Sequence, residues 1–208
     1  MKEFEKVQIL QERAGTDGFA AARKAMIDSQ LRVSGVNAGF VLARMAAVPR
    51  EEFVPAAVRG QAYADRATPL GDGRYLAAPL VQGRMLEEAR PDARDNVLLV
   101  DGGSGYLAEL VRPLVGSLTV IRPEEAVAGT VADGQFTLLM IDGAIEQLPA
   151  ALAARHADGA RVVTGQMLRG VTRLAAGVKA AGDVVLTPLA EIGIPELPEF
   201  AVPKGWSF

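Results

Sequence analysis

The sequence contains no cysteine and only one histidine. Without thiols the chain can form no disulfide, thiolate nucleophile or cysteine-ligated metal site, and a lone histidine argues against a zinc site. We therefore expect no bound metal. The single imidazole, His156, comes just before a predicted turn at residues 157–159, which favours a surface position near a helix end over a role as a general base.

Long apolar runs and an excess of positive charge are also missing. No apolar run is long enough to span a membrane, and the first six residues carry both charge signs where a signal peptide needs apolar side chains. We expect a cytoplasmic protein that does not enter a membrane. The net charge of −3 and the pI near 5.3 give no overall positive field to attract phosphates, so nucleic acid is not an expected partner.

The composition that is present is globular. Half of the 208 residues are hydrophobic and 23% are charged, which suffices for one packed domain with small additions. Residues 1–17 are predicted to form an N-terminal extension, because Phe4, Val7 and Leu10 lie at helical spacing. This extension is either a helix for docking or dimer formation, or a frayed tail.

Residues 18–92 are predicted to be mainly helical. A first helix is expected over 19–31, and Asn37 is expected to cap a second helix that runs to about residue 47. Pro69, Gly71, Asp72 and Gly73 predict a tight hairpin or an ordered loop. Pro79 is expected in the first turn of a further helix, where its missing N–H costs nothing.

The pattern changes at residue 96. Residues 97–100 form a continuous apolar run typical of a buried parallel strand, and the turn Asp101-Gly102-Gly103-Ser104-Gly105 and a helical stretch follow at once. Strand, glycine turn and helix in this order are typical of nucleotide-type folds. Further strands are predicted near 118–121, 136–141 and 160–164, a helix over 148–155, and a final antiparallel pair over 171–178 and 183–189.

The glycine turn leaves several interpretations open. Glycines allow the backbone to approach a ligand, and the following helix can direct free N–H groups at it, but a tight turn without a ligand has the same composition. Asp101 stands where such turns usually begin with glycine. Its carboxylate could crowd a ligand, accept a hydrogen bond from an ammonium group, or cap the following helix.

Several segments resemble, in order and spacing, the protein-L-isoaspartate O-methyltransferase family. They read MIDSQLRVSGVN (26–37), VPREEFVP (48–55), AYAD (62–65), PLGDG (69–73), VLLVDGGSGY (97–106), Gly143-Ala144 with Pro149, and GVTRL (170–174). The resemblance covers nearly everything after residue 17. It implies an α/β fold with a doubly wound, methyltransferase-like (Rossmann-type) sheet over 93–208, preceded by a helical cap and substrate-loop region over 18–92.

The resemblance also implies a reaction and a set of binding residues. Members of the family transfer a methyl group from S-adenosylmethionine to the α-carboxylate of an isoaspartyl residue, so a protein or peptide partner is implied. The expected cofactor-binding residues are Asp101, Gly102, Gly103, Ser104, Gly105 and Asp142. The expected substrate-binding residues are Tyr63, Ala77, Pro79 and Val81, and no catalytic residue is assigned.

The departures from the family pattern fall in both sites. Ala77 stands where the family places a serine hydroxyl in the substrate loop, and Leu99 where the glycine motif usually has an acidic residue. The predicted second strand ends at Arg122, where an acidic residue would bind the ribose hydroxyls of the cofactor. A guanidinium has no acceptor and cannot do so. Asp142, the nearest remaining carboxylate, is either a polar contact or a cap of the loop after its strand.

Chain length gives an argument that does not depend on the family. A βαβ crossover takes at least about ten to twelve residues, and the interval between Ile121 and Phe136 is too short for a helix, a third strand and a further connection. We therefore expect the third strand and its helix to be missing, and with them the loop that presents an acidic residue to the adenine.

Three functional hypotheses follow. The first is a degenerate family member with impaired or lost S-adenosylmethionine binding that acts as a binding or interaction protein. The second is an active methyltransferase with a rebuilt site, acting on isoaspartyl carboxylates in damaged proteins. The third is an assembly subunit, including a homodimer, that uses the exposed edge of the second strand and the N-terminal helix.

Overall fold

A computed structural model describes residues 17–131 and 134–202. The expected helix in the first sixteen residues therefore lies outside the described residues. No helix in the described ranges has the length and apolar composition needed to cross a bilayer. The division at residues 17 and 92 remains a prediction.

The N-terminal part is helical, as predicted. Helix α1 covers residues 17–26 and continues into a π-helical turn, Ile27–Leu31, and α2 covers Gly39–Ala47. Two 3₁₀ turns, Arg50–Phe53 and Ala56–Gln61, lead to a hairpin of β1 (Thr68–Gly71) and β2 (Arg74–Leu76). Helix α3 (Pro79–Ala89) follows, with Pro79 in its first turn.

The expected cap on α2 is wrong. The Asn37 side chain makes no capping bond at the start of this helix. Instead, the backbone N–H groups of Asn37 and Ala38 donate to Oε1 of Glu87, at 2.7 and 2.9 Å. A carboxylate on α3 is a charged acceptor and satisfies these donors more strongly than a neutral amide would.

The second part forms a six-stranded mixed sheet. In chain order its elements are β3 (Asn96–Val100), α4 (Tyr106–Val111), a 3₁₀ turn Arg112–Leu114, β4 (Ser117–Ile121), α5 (Pro123–Val127), β5 (Phe136–Ile145), α6 (Ala150–Ala154), β6 (His156–Leu168), β7 (Val171–Ala180) and β8 (Asp183–Glu191), before a last 3₁₀ turn, Pro198–Phe200. The strand order is β4-β3-β5-β6-β7-β8; the first four are parallel, and β7 and β8 are antiparallel to their neighbours.

Both faces of the sheet are covered, as a doubly wound fold requires. Val97 and Leu99 of β3 belong to the hydrophobic cluster that contains the N-terminal helices, α3 and α4, whereas Leu98 and Val100 belong to the cluster that contains α5 and α6. Alternate side chains of one strand therefore enter different cores, which explains the continuous apolar run in its sequence. The predicted α/β fold is confirmed.

The predicted loss of one strand and its helix also agrees with the structure. Among the described residues between β4 and β5, helix α5 of five residues is the one regular element. Strand β4 pairs with β3 alone in the described part of the chain and forms one edge of the sheet.

The expected surface position of His156 is wrong. The residue is the first of β6 and only 3% exposed. Its Nδ1 lies 2.9 Å from the carbonyl oxygen of Leu152, and its ring packs on Phe136. Only one residue separates α6 from β6. The helix therefore covers the imidazole, which was expected to lie in solvent.

Candidate functional site

The candidate site lies where β3 and β5 end, at the glycine turn between β3 and α4. Carboxyl ends of parallel strands are the usual place for ligands in open α/β sheets. Gly103 has φ +113° and Gly105 has φ +74°, so both adopt backbone conformations that favour glycine. Gly105 is also the N-cap of α4.

Two N–H groups of this turn, those of Gly103 and Gly105, are bonded within the chain. The carboxylate of Asp101 accepts hydrogen bonds from the backbone N–H of Gly103 at 3.1 Å and of Gly105 at 2.9 Å. The hydroxyl of Ser104 accepts the N–H of Tyr106 at 3.1 Å. Asp101 therefore stabilises the turn itself, close to the capping role considered from the sequence. Partial burial raises the pKa of its carboxyl, although these two N–H groups act in the opposite direction.

Asp142 lies beside this turn in β5 and is 6% exposed. Its Oδ1 has no hydrogen-bond partner among the described residues. Burial, and then the nearby carboxylate of Asp101, raise the pKa of Asp142 to about 7, whereas Gln82 and the guanidinium of Arg50 oppose the shift. The structure thus brings the expected cofactor-binding residues together around one turn.

A side chain that sequence reasoning missed, Arg74 of β2, lies over the same turn. A Cβ atom built on Gly103 would be 3.5 Å from Cβ and Cγ of Arg74. The guanidinium bonds to Glu199 at 2.5 and 3.1 Å and to Glu124 at 2.9 Å. Arg74 therefore joins the hairpin, the segment after β4 and the C-terminal turn. We call Arg74, Glu124 and Glu199 the Arg74 cluster. The sequence signal, an arginine directly after the Asp72-Gly73 turn, is weak because such arginines are commonly solvated.

The end of β4 offers no acceptor at the expected position. Arg122 is exposed, and its backbone N–H donates to Glu125 at 2.8 Å in a capping box that begins α5. Glu124 is the next carboxylate along the chain, and it bonds to Arg74. Leu99, in the position that the family usually fills with an acid, is fully buried in the core.

The expected substrate-binding residues are spread over two environments. Val81 lines a cavity of about 810 Å³. Tyr63 is buried instead in a polar cluster: its hydroxyl donates to Glu51 and accepts from Nε of Arg23 at 2.7 Å and from the backbone N–H of Arg50 at 3.2 Å. Ala77 and Pro79 are buried between these two regions.

A second residue without a predicted role, Arg50, connects these environments. Its side chain is fully buried and donates from Nε to the carbonyl of Ala62 at 2.7 Å, from Nη1 to Oε1 of Gln82 at 2.6 Å, and from Nη2 to the carbonyl of Ala77. The guanidinium also lies over the ring of Tyr106, 4.9 Å from its centroid. Arg50 therefore holds the substrate-loop backbone against the first helix after the glycine turn.

The cavity is an open groove with walls from distant parts of the chain. One wall is formed by the β1–β2 hairpin and the start of α3, including Tyr75, Leu80 and Val81, and the other by residues 192–198. This second segment, the C-terminal strap, is held on β5: the N–H of Ala144 donates to Pro195 at 2.7 Å, and the N–H of Leu197 donates to Ala144 at 2.9 Å. The groove is mainly apolar, with Asp65, Arg66 and Glu196 among its lining residues.

Comparison with known proteins identifies the family. The model of the family described as protein-L-isoaspartate(D-aspartate) O-methyltransferase matches residues 21–160. The chain belongs to this family. A protein-L-isoaspartate O-methyltransferase of Koribacter versatilis is 34% identical over 170 residues, which cover 70% of this chain and 77% of that protein. That of Desulfosudis oleivorans is 27% identical over 195 residues, covering 82% and 88%.

Other matches are shorter. The alignment with protein-L-isoaspartate O-methyltransferase 1 of Rhodopseudomonas palustris, at 36% identity, covers 55% of this chain and 46% of the relative. The chain thus spans about half the length of some relatives that it matches.

Solved structures of the family share the fold. A protein-L-isoaspartate O-methyltransferase of Plasmodium falciparum, crystallised in complex with S-adenosyl-L-homocysteine, superposes with a TM-score of 0.65 at 15% identity, covering 87% of this chain and 98% of that one. A second structure of a protein-L-isoaspartate O-methyltransferase gives a TM-score of 0.67 over 84% of this chain.

Proposed function

We propose that this member of the protein-L-isoaspartate O-methyltransferase family has impaired or lost S-adenosylmethionine binding and acts as a binding protein for protein or peptide partners. The observation that carries the proposal is the internal bonding of the glycine turn. Asp101 occupies the N–H groups of Gly103 and Gly105, and the stem of Arg74 lies against Gly103. Both arrangements would have to give way before a donor could use these groups of the turn.

The expected contacts to the nucleoside half of the donor are also missing from the described residues. Arg122 cannot accept hydrogen bonds from ribose hydroxyls, and the described residues between β4 and β5 include no third strand to carry an adenine contact. If each lost hydrogen bond costs about 0.5 to 3 kcal/mol, the affinity falls by roughly two to four powers of ten. Methyl transfer depends on holding the reacting atoms in line, so a weakly held donor also reacts slowly.

A groove that could bind a protein or peptide partner is present in the structure. The groove between the hairpin and the C-terminal strap is large enough for an apolar side chain and the flanking backbone of a peptide, and Tyr75 lies in its wall with 46% of its surface exposed. An extended segment of a protein, including one with an isoaspartyl residue, fits such a groove. The expected roles of Val81 and its neighbours in substrate binding belong to this proposal.

Calorimetric titration of the full chain with S-adenosylhomocysteine tests the proposed loss of donor binding. We expect no heat of binding up to about 1 mM ligand, given the lost contacts. Submillimolar binding that is abolished by Gly103→Trp would overturn the proposal and support the alternative, an active methyltransferase for isoaspartyl carboxylates. The retained glycines and Ser104, and the S-adenosylhomocysteine bound by the Plasmodium falciparum relative, are the observations that keep this alternative in view.

Fluorescence anisotropy with a labelled isoaspartyl peptide tests the groove, with the matching aspartyl peptide as a second probe. Tyr75→Ala is expected to weaken binding about tenfold, since it removes an aromatic contact from the wall. Val185→Ala is the matched control, because Val185 is 75% exposed on β8 and does not line the groove. Equal affinities of the two variants would contradict this site.

A further inference from the structure

Arg74 brings a positive charge to the glycine turn, where the family resemblance places the donor. Its Cβ and Cγ lie over Gly103, at the turn that begins the nucleotide-type half of the fold. S-adenosylmethionine carries a positive charge on its sulfonium, so a donor seated at this turn would bring a second cation close to Arg74. A guanidinium on the chain therefore competes with the donor through both volume and charge.

The groups around the guanidinium are acidic. Glu199 and Glu124 bond to it directly, and the carboxylate of Asp101 lies close enough for Arg74 to stabilise its ionised form. The three carboxylates come from the turn after β3, from α5 and from the C-terminal 3₁₀ turn. Arg74 and Glu199 are about one-fifth exposed, so their attraction is less screened than that of a surface pair.

We propose that Arg74 excludes a cationic adenosyl donor from the glycine turn, because its side chain fills the space at the turn and its charge neutralises the surrounding carboxylates. We call this the plug role of Arg74. The inference rests on the proposed loss of donor binding and gives it a specific cause. It implies that the space beneath Arg74 is itself selective for cations. A chain without this side chain then exposes a pocket lined by Asp101, Glu124 and Glu199.

The test compares Arg74→Ala with the wild-type chain in calorimetric titrations with S-adenosylmethionine and S-adenosylhomocysteine. The alanine variant is expected to bind S-adenosylmethionine at least about tenfold more tightly than the wild type does, because a like charge and the occupying atoms are both removed. It is also expected to prefer the sulfonium over the uncharged thioether by about fivefold at low salt, a preference that shrinks in 0.5 M salt.

Two control variants distinguish this effect from a general loosening of the fold. Arg74→Met keeps the stem over Gly103 and should gain little affinity. Arg122→Ala removes a neighbouring cation that faces Glu125 instead, and it should behave as the wild type does. If Arg74→Ala does not fold, Arg74→Ser decides in the same titrations, because it also removes both the stem and the positive charge; the same gain in S-adenosylmethionine affinity is expected.

A chemical rescue gives a second measurement. Methylguanidine at millimolar concentration should raise the melting temperature of Arg74→Ala, but not that of the wild type, because it fills the vacated cation site. Absence of any gain in donor affinity, or an equal gain for both ligands, would overturn the plug while leaving the proposed function intact. Submillimolar binding of S-adenosylhomocysteine by the wild type would instead overturn the proposed function.

Discussion

Gly102 lies directly against the backbone of Asp142: a Cβ atom at residue 102 would be 2.2 Å from the Asp142 carbonyl oxygen. This glycine is required by the contact between the β3 turn and β5, whatever the site binds. Gly102→Ala is expected to lower the free energy of unfolding by about 1–3 kcal/mol, because the two backbone segments must separate. Urea denaturation measures the change. Gly60→Ala, where nothing lies within 4 Å, is the control, and equal losses would contradict the argument.

The raised pKa of Asp142 predicts that the free energy of unfolding falls as the pH rises from acid to neutral. Its pKa in the folded chain is about 7, above the ordinary value of 3.8, so the folded state holds the proton more tightly than the unfolded state does. The resulting stabilisation is complete below pH 4 and is lost as the pH rises to about 7. Asp142→Asn should remove this loss and, at pH 8, exceed the wild type by about 2–4 kcal/mol. Urea denaturation from pH 4 to 8 tests this, and parallel curves would count against it.

The lowered pKa of His156 predicts the opposite dependence, a free energy of unfolding that falls as the pH falls. Burial lowers the pKa of its imidazole below the ordinary value of 6.5, so the unfolded state binds the proton more tightly. Its contribution is complete above pH 6.5 and is lost as the pH falls below that value. His156→Leu should be less sensitive to acid than the wild type is, in thermal unfolding between pH 7 and 5. An unchanged acid slope would show that another group is responsible.

Arg50 is expected to be among the most sensitive positions. Replacement by methionine leaves the carbonyls of Ala62 and Ala77 and the amide oxygen of Gln82 without this donor. We expect a loss of about 3–5 kcal/mol in the free energy of unfolding. Arg94→Met is the control, because that side chain is 91% exposed and should change stability by less than about 0.5 kcal/mol. A loss from Arg50→Met no larger than the control's would show that the buried bonds contribute little.

Most of the fold follows from local patterns in the sequence. The apolar run at residues 97–100 predicts β3 because both faces of that strand are buried. The turn-forming residues of 69–73 predict a hairpin or an ordered loop, and the structure has the hairpin, with positive φ at Gly71 and Gly73. The lost strand follows from chain length alone. Asn37 and His156 fail because their surroundings come from other elements: Glu87 reaches the start of α2 from α3, and Phe136 covers the imidazole from β5.

The candidate site was only partly predictable for the same reason. The turn residues are contiguous, so their grouping can be read from the sequence. Arg74 and Glu199 are separated by 125 positions, and nothing local to either residue indicates the other. Tyr63, an expected substrate-binding residue, is not among the residues that line the groove and bonds to Glu51, because its buried hydroxyl needs partners that only the folded chain supplies.

The two walls of the groove come from distant parts of the chain, since the hairpin at residues 68–76 meets a strap at residues 192–198. A ribosome that has just completed β6 has made only one of these walls. The groove and the Arg74 cluster can therefore form only when translation is nearly finished. A newly made molecule thus completes the groove as one of the last events of its folding, and a chain cut short before residue 192 should lack the binding that we propose for it.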